Sequence, residues 1–183
     1  MRENPERELP GDLPREDLIR RMIRVDHAGE YGARRIYEGQ LAVLGQRPDA
    51  APIRHMAAQE DRHLRAFDAL LAERRVRPTA LHPLWHAAGY ALGAATALLG
   101  REAAMACTVA VEEVIDEHYA KQAAKLGDEE PALKQMIEEF RGEEIQHRDL
   151  GLAEGADCAP AYGLLKGAIK TGSRIAIWLA ERI

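Results

Sequence analysis

With 183 residues the chain is about the size of one domain, long enough to bury most of a core without disulfides or a structural metal. Its formal charge of -5 is spread over interleaved acids and bases, with no Lys/Arg block and no aromatic-basic alternation that would follow a phosphate backbone, so nucleic acid is not an expected partner. Aromatics are sparse, Ala, Leu, Arg and Glu are abundant and Thr and Val scarce, which favours helices over strands and an all-α fold.

In chain order, residues 1–14 are Pro-rich and charged and read as a flexible N-terminal arm. They have neither the apolar core of a signal peptide nor the acid-poor character of a transit peptide, so the chain is expected to stay where it is made. Residues 15–183 read as a single domain. A first helix is expected from about Pro14–Glu16 to Gly45, and a second from Pro52 to about Arg75. The segment VRPTALHP, with its two prolines, reads as a loop. From Leu84 to Leu126 the pattern is helical, as an apolar crossover piece at about 84–100 and then an amphipathic piece, with a bend near Gly100. The apolar piece contains His86 and stops at Arg101, short of the ~20 residues a spanning helix needs, so no transmembrane helix is expected. DEEP ends this stretch, a fourth main helix runs from Pro131 to about Leu152, and a C-terminal amphipathic helix occupies about 162–182. Cys107 and Cys158 form no CxxC pair, and both read as packing residues.

The chemistry lies in what interrupts the apolar stripes of the four main helices. The first stripe runs Ile19, Ile23, Asp26, Glu30, Ala33, Tyr37, Leu41, Leu44; the second Ile53, Met56, Glu60, His63, Phe67, Leu71. The third runs Met105, Val109, Glu112, Ile115, Tyr119, Leu126; the fourth Leu133, Ile137, Phe140, Glu144, His147, Leu150. Each carries a glutamate where a leucine is expected. Carboxylates converging on one core are costly and repel one another unless cations compensate them. Oxygen ligands with one imidazole per metal suit iron or manganese better than zinc. Two helices giving a Glu and two giving Glu-x-x-His resembles the ligand set of ferritin-like di-metal bundles. Glu30 precedes its Glu-x-x-His by 30 residues and Glu112 precedes its own by 32, so the chain reads as two similar helix pairs joined by a crossover. Spacing leaves Glu143 as an alternative to Glu144, and Glu113 as an alternative to Glu112. Asp26 reads either as a partner of a metal-bound histidine or as a surface-edge residue.

The segments RMIRVDHAGEYGARRIYEGQLAVLG, AAQEDRHL, VRPTALHPLWHAAGYALGAATALLGREAAMACTVAVEE, RGEEIQHRDLG and APAYGLLKGAIKTGSRIAIWLAERI closely resemble the demethoxyubiquinone hydroxylases of ubiquinone biosynthesis, from about Leu18 onward. The resemblance implies a ferritin-like monooxygenase that uses dioxygen and NADH-derived electrons to hydroxylate the benzoquinone ring of a polyprenyl quinone. It implies two iron ions per chain on Glu30, Glu60, His63, Glu112, Glu144 and His147. It also implies a His-Tyr pair near the iron, here His118 and Tyr119, that passes reducing equivalents; on the residues alone a surface histidine is the lesser reading of His118. No Rossmann glycine fingerprint appears, so the NADH site is not legible.

A polyprenyl substrate points to membrane lipids as partners. Trp85 and Tyr90 in the crossover helix suit a bilayer interface, and Lys166, Lys170 and Arg174 beside Leu165, Ile169, Ile177 and Trp178 suit anionic head groups. The expected location is therefore peripheral, on the cytoplasmic face of a bacterial inner membrane or the matrix side of the mitochondrial inner membrane. The resemblance extends to a lipid-binding accessory protein, and a homo-oligomer stays open. Two alternatives share the ligand pattern: a ferritin-like ferroxidase, against which the basic, apolar C-terminal helix argues, and a non-catalytic quinone or lipid carrier.

Overall fold

The computed structural model describes residues 13–183, so the arm expected over 1–14 lies, but for its last two positions, outside the described residues. Among the described residues six α-helices follow one another: α1 (Arg15–Leu44), α2 (Ala51–Glu73), α3 (His82–Leu98), α4 (Arg101–Leu126), α5 (Pro131–Ala153) and α6 (Tyr162–Ala180). Short connections join α1 to α2 and α4 to α5, and the long route from the first pair to the second runs through α3. The result is an all-α, ferritin-like bundle of α1, α2, α4 and α5, with α3 packed along α1 and α6 against α4.

The boundaries fall close to those expected, with two informative differences. Helix α3 starts at His82, with Pro83 inside its first turn, where a missing N–H leaves no bond unmade. The bend near Gly100 is a full break: Gly100 has φ 122°, a conformation that a Cβ would strain, and it separates α3 from α4. Helix α3 lies against α1 at near backbone contact, because Gly89, Gly93 and Gly39 have no side chain to hold the helices apart. Among the described residues no helix is long and apolar enough to cross a membrane.

Two apolar layers fill the bundle. One holds Ile23, Phe67, Leu71, Leu126, Ile137 and Phe140; the other holds Tyr37, Leu44, Ile53, Met56, Met105 and Val109. The interrupting glutamates and histidines fall between these layers on every helix, so packing on both sides fixes them in a dry belt.

The C-terminal helix departs from expectation. Lys166 and Lys170 reach Glu113 of α4 at 2.5 and 2.8 Å, and Arg174 reaches Glu117 at 3.0 Å. The basic stripe thus faces acids on a neighbouring helix instead of lipid head groups. Trp85 is likewise turned inward, against Val25, Ala28 and Ala180, whereas Tyr90 is 38% exposed with Arg35 over its ring. Cys107 is buried as a packing residue, but Cys158 is exposed, since it lies in the short turn before α6.

Candidate metal centre

Glu30, Glu60, His63, Glu112, Glu144 and His147 meet in the belt, each no more than 1% exposed. They form two groups of four, Glu30–Glu60–His63–Glu144 and Glu60–Glu112–Glu144–His147, in which the donor atoms lie within 4.8 Å of one another. Glu60 and Glu144 belong to both, so the two groups adjoin and could hold two neighbouring cations.

The donor atoms point inward. His63 Nδ1 lies 3.0 Å from Glu144 Oε1 and 3.4 Å from Glu30 Oε2. His147 Nδ1 lies 3.0 Å from Glu144 Oε2 and 3.2 Å from Glu60 Oε1. Both Glu60 oxygens, one oxygen each of Glu30, Glu112 and Glu144, and His63 Nδ1 have no hydrogen-bond partner despite full burial. So many unsatisfied donors and acceptors in one dry layer are costly without a ligand, and carboxylate oxygens with one imidazole per group fit iron or manganese.

The electrostatics follow from crowding. Burial, then the neighbouring Glu144 and Glu30, hold the Glu60 carboxyl well above its ordinary 4.5; burial with Glu144 and Glu60 does the same to Glu112. Burial opposes ionisation of Glu144 too, but the hydrogen bond from His147 and the close imidazole of His63 outweigh it and lower its pKa to about 2. Burial likewise opposes protonation of His63, yet Glu144 and Glu30 push its pKa up to about 12. Proton and metal compete for the same atoms.

A second set of residues holds these donors in place. Glu143 Oε2 accepts from His63 Nε2 at 2.8 Å and also receives Arg62. Gln59 Oε1 lies 3.1 Å from His147 Nε2, Tyr37 OH donates to Glu112 at 2.9 Å, and Tyr119 OH donates to Glu30. Of the two adjacent glutamates, Glu144 lies in the belt and Glu143 accepts from His63 Nε2 on its other side. Glu113 is turned away, to Lys166 and Lys170. Tyr37 stood on the first stripe as an apolar-face residue; Gln59 carried no periodic signal.

Asp26 is 2% exposed and is not a surface-edge residue. It does not contact a belt histidine: its Oδ1 lies 2.7 Å from Gln122 Nε2 and 3.3 Å from His118 Nε2. Burial raises its pKa, against the lowering effects of His118 and Gln122. His118, expected either near the metal or at the surface, has a side chain only 17% exposed. Asp26, Glu30, His118 and Tyr119 line one cavity of about 360 Å³ between α1, α3, α4 and α6. The rest of its wall is mostly small or apolar, including Ala33, Ile36, Trp85 and Ile177.

With this geometry in view, the comparisons with known proteins are direct. A family model described as "Ubiquinone biosynthesis protein COQ7" matches residues 17–180. A Rhodospirillum rubrum protein named 3-demethoxyubiquinol 3-hydroxylase is 58% identical over 183 residues, covering 100% of this chain and 86% of the relative. The chain belongs to the COQ7 family of ubiquinone biosynthesis proteins. Other family members include the human NADPH-dependent 3-demethoxyubiquinone 3-hydroxylase, mitochondrial, 54% identical over 169 residues, 90% of this chain and 78% of the relative. The Saccharomyces cerevisiae 5-demethoxyubiquinone hydroxylase, mitochondrial, is 43% identical over 183 residues, 91% of this chain and 78% of the relative.

Proposed function

We propose that the chain is a monooxygenase that hydroxylates the benzoquinone ring of a demethoxyubiquinone-type polyprenyl quinone in ubiquinone biosynthesis, at two iron ions held by Glu30, Glu60, His63, Glu112, Glu144 and His147. The observation that carries this reading is the apolar cavity, which shares Glu30 with the carboxylate belt and so brings a greasy ring to the edge of the metal site. Iron held by the belt's glutamates and histidines would supply the dioxygen chemistry.

The chain's own residues position the partners. The apolar walls exclude water from the ring. Tyr119 holds Glu30 by its hydroxyl hydrogen bond. The role proposed for His118 and Tyr119, passing reducing equivalents from a bound ring towards the metal, is supported by their lining the same cavity as Glu30. The human relative's name specifies NADPH, where the sequence resemblance implies NADH; both are hydride donors. Relatives' names also differ in ring oxidation state, ubiquinol in the Rhodospirillum protein and ubiquinone in the human one.

Delivery of the substrate from a bilayer has its support on α3, α6 and their ends, where Leu98 is 76%, Leu164 77% and Trp178 52% exposed. These apolar side chains, and not the paired cations of α6, are the groups proposed to dock peripherally on lipid.

The test is mass-spectrometric detection of the hydroxylated ring after incubating iron-loaded protein with a short-tailed demethoxyubiquinone analogue, air, and NADH or NADPH. Product that disappears in Glu60→Ala supports reaction and site together. No product with either nucleotide from fully iron-loaded protein would overturn the proposal.

A further inference from the structure

The cavity is walled by four helices that are held in different ways. Helices α1 and α4 carry the belt. Helix α3 is locked to α1, since a Cβ at Gly39 or Gly93 would run into the backbone of the facing helix. Helix α6 has neither tie. Among the described residues its 19 positions include two buried ones, Ile169 and Ala180. A Cβ at Gly163, Gly167 or Gly172 would meet nothing within 4 Å, and the side turned to the cavity includes Gly172, Ser173 and Ala176. Charge joins this helix to α4. Lys166 and Lys170 lie 2.5 and 2.8 Å from Glu113, and Lys170 and Arg174 lie 3.5 and 3.0 Å from Glu117. The chain enters α6 through Ala161 at φ 51°, a left-handed conformation that strains a Cβ and holds only while the flanking contacts impose it.

Ion pairs that water reaches hold weakly, and a lysine or arginine at an anionic lipid surface gains about as much as it loses by leaving such a pair. The exposed Leu164, Ile175 and Trp178 would bring the same helix to that surface. We propose that α6 is a lid on the cavity, latched to α4 by Glu113 and Glu117 and released when anionic lipid head groups take over Lys166, Lys170 and Arg174. With α3 fixed to α1, α6 is the wall that can move aside to admit a ring carrying a long tail. The latch keeps the cavity closed away from the bilayer and opens it where the substrate is dissolved. The inference rests on the reading of the cavity as the ring site and of α6 as a lipid-docking helix.

The test is a distance, measured by pulsed electron spin resonance between nitroxides at Gln135→Cys on α5 and Thr171→Cys on α6, both exposed positions. The exposed Cys158 is changed to serine and the buried Cys107 is left in place. The zinc-loaded protein is measured free, on phosphatidylcholine vesicles, and on vesicles that also contain anionic phosphatidylglycerol. One short distance is expected free and on phosphatidylcholine. On the anionic vesicles a second distance is expected, longer by ~10 Å, a helix diameter. Glu113→Gln with Glu117→Gln cuts the latch from the α4 side, so the longer distance is expected without lipid. No lengthening on anionic vesicles that carry the protein, the same lengthening on phosphatidylcholine, or an unchanged distance in the double variant would overturn the lid and leave the cavity and docking readings standing. Protein that stays off both kinds of vesicle would overturn the docking reading as well. If the double variant does not fold, the three distances measured with Glu113 and Glu117 in place decide alone.

Discussion

Replacing Glu60 by leucine is expected to stabilise the chelator-treated protein while removing its response to metal. Glu60 is fully buried, and neither of its carboxylate oxygens has a hydrogen-bond partner. Each buried unsatisfied polar group costs about 1–3 kcal/mol, and leucine of similar size restores the apolar stripe of Met56 and Phe67. At this chain length 1 kcal/mol moves Tm by about 2–4 °C, so Glu60→Leu should raise the Tm of the stripped protein by about 2–12 °C. The pH dependence has a defined sign. Burial and Glu144 hold the Glu60 pKa well above 4.5, so above pH 4.5 the folded chain keeps a proton that the unfolded chain has lost. Stability of the stripped wild type therefore falls as pH rises from there, and its gap to Glu60→Leu widens. Adding ferrous iron at 100 times the dissociation constant should stabilise the wild type by about 2.7 kcal/mol per site and the variant far less, reversing the order. Differential scanning fluorimetry with chelator or anaerobic iron reads both. A Glu60→Leu protein that melts below the wild type in chelator would refute the reasoning.

Three further outcomes follow from the packing. Glu143→Leu removes the acceptor at 2.8 Å that orients His63, and should weaken one of two metal equivalents about 10–100-fold in an equilibrium titration; unchanged affinity would show that His63 needs no such support. Gly93→Ala drives a methyl group into the Ile36 carbonyl across the α1–α3 contact, and should cost about 1–3 kcal/mol in urea unfolding. Wild-type stability in that variant would contradict the near backbone contact of the two helices. In liposome flotation the wild type should rise with the vesicles, and Leu164→Glu with Trp178→Glu should leave it in the soluble fraction; a wild type that stays behind would refute docking on this face.

Helix positions were legible because each stripe keeps the 3.6-residue period on both sides of its polar interruption, and because prolines and glycines mark the ends. The belt was legible for the same reason: Glu112 lies in line with Val109 and Tyr119, and Glu144 repeats the Glu60/His63 spacing with His147, so both fall on the core side of their helices. Adjacent candidates such as Glu143 and Glu144 are both near the seam, and only the position of the partner helix shows that one enters the belt while the other grips His63 from outside. The basic stripe of α6 misled because Lys166 and Lys170 look the same in sequence whether they face anionic lipid or Glu113 on another helix. Trp85 and Asp26 misled similarly: each was judged on its own helix, and the cavity they share forms only where α1, α3, α4 and α6 meet.

The most direct test of the account is the metal content and spectrum of the anaerobically reconstituted chain. Two tightly bound irons per chain are predicted, magnetically coupled through shared carboxylates in Mössbauer spectra, with binding lost in Glu60→Ala and Glu144→Ala. A stoichiometry of one or none, or two uncoupled irons that survive both substitutions, would contradict it.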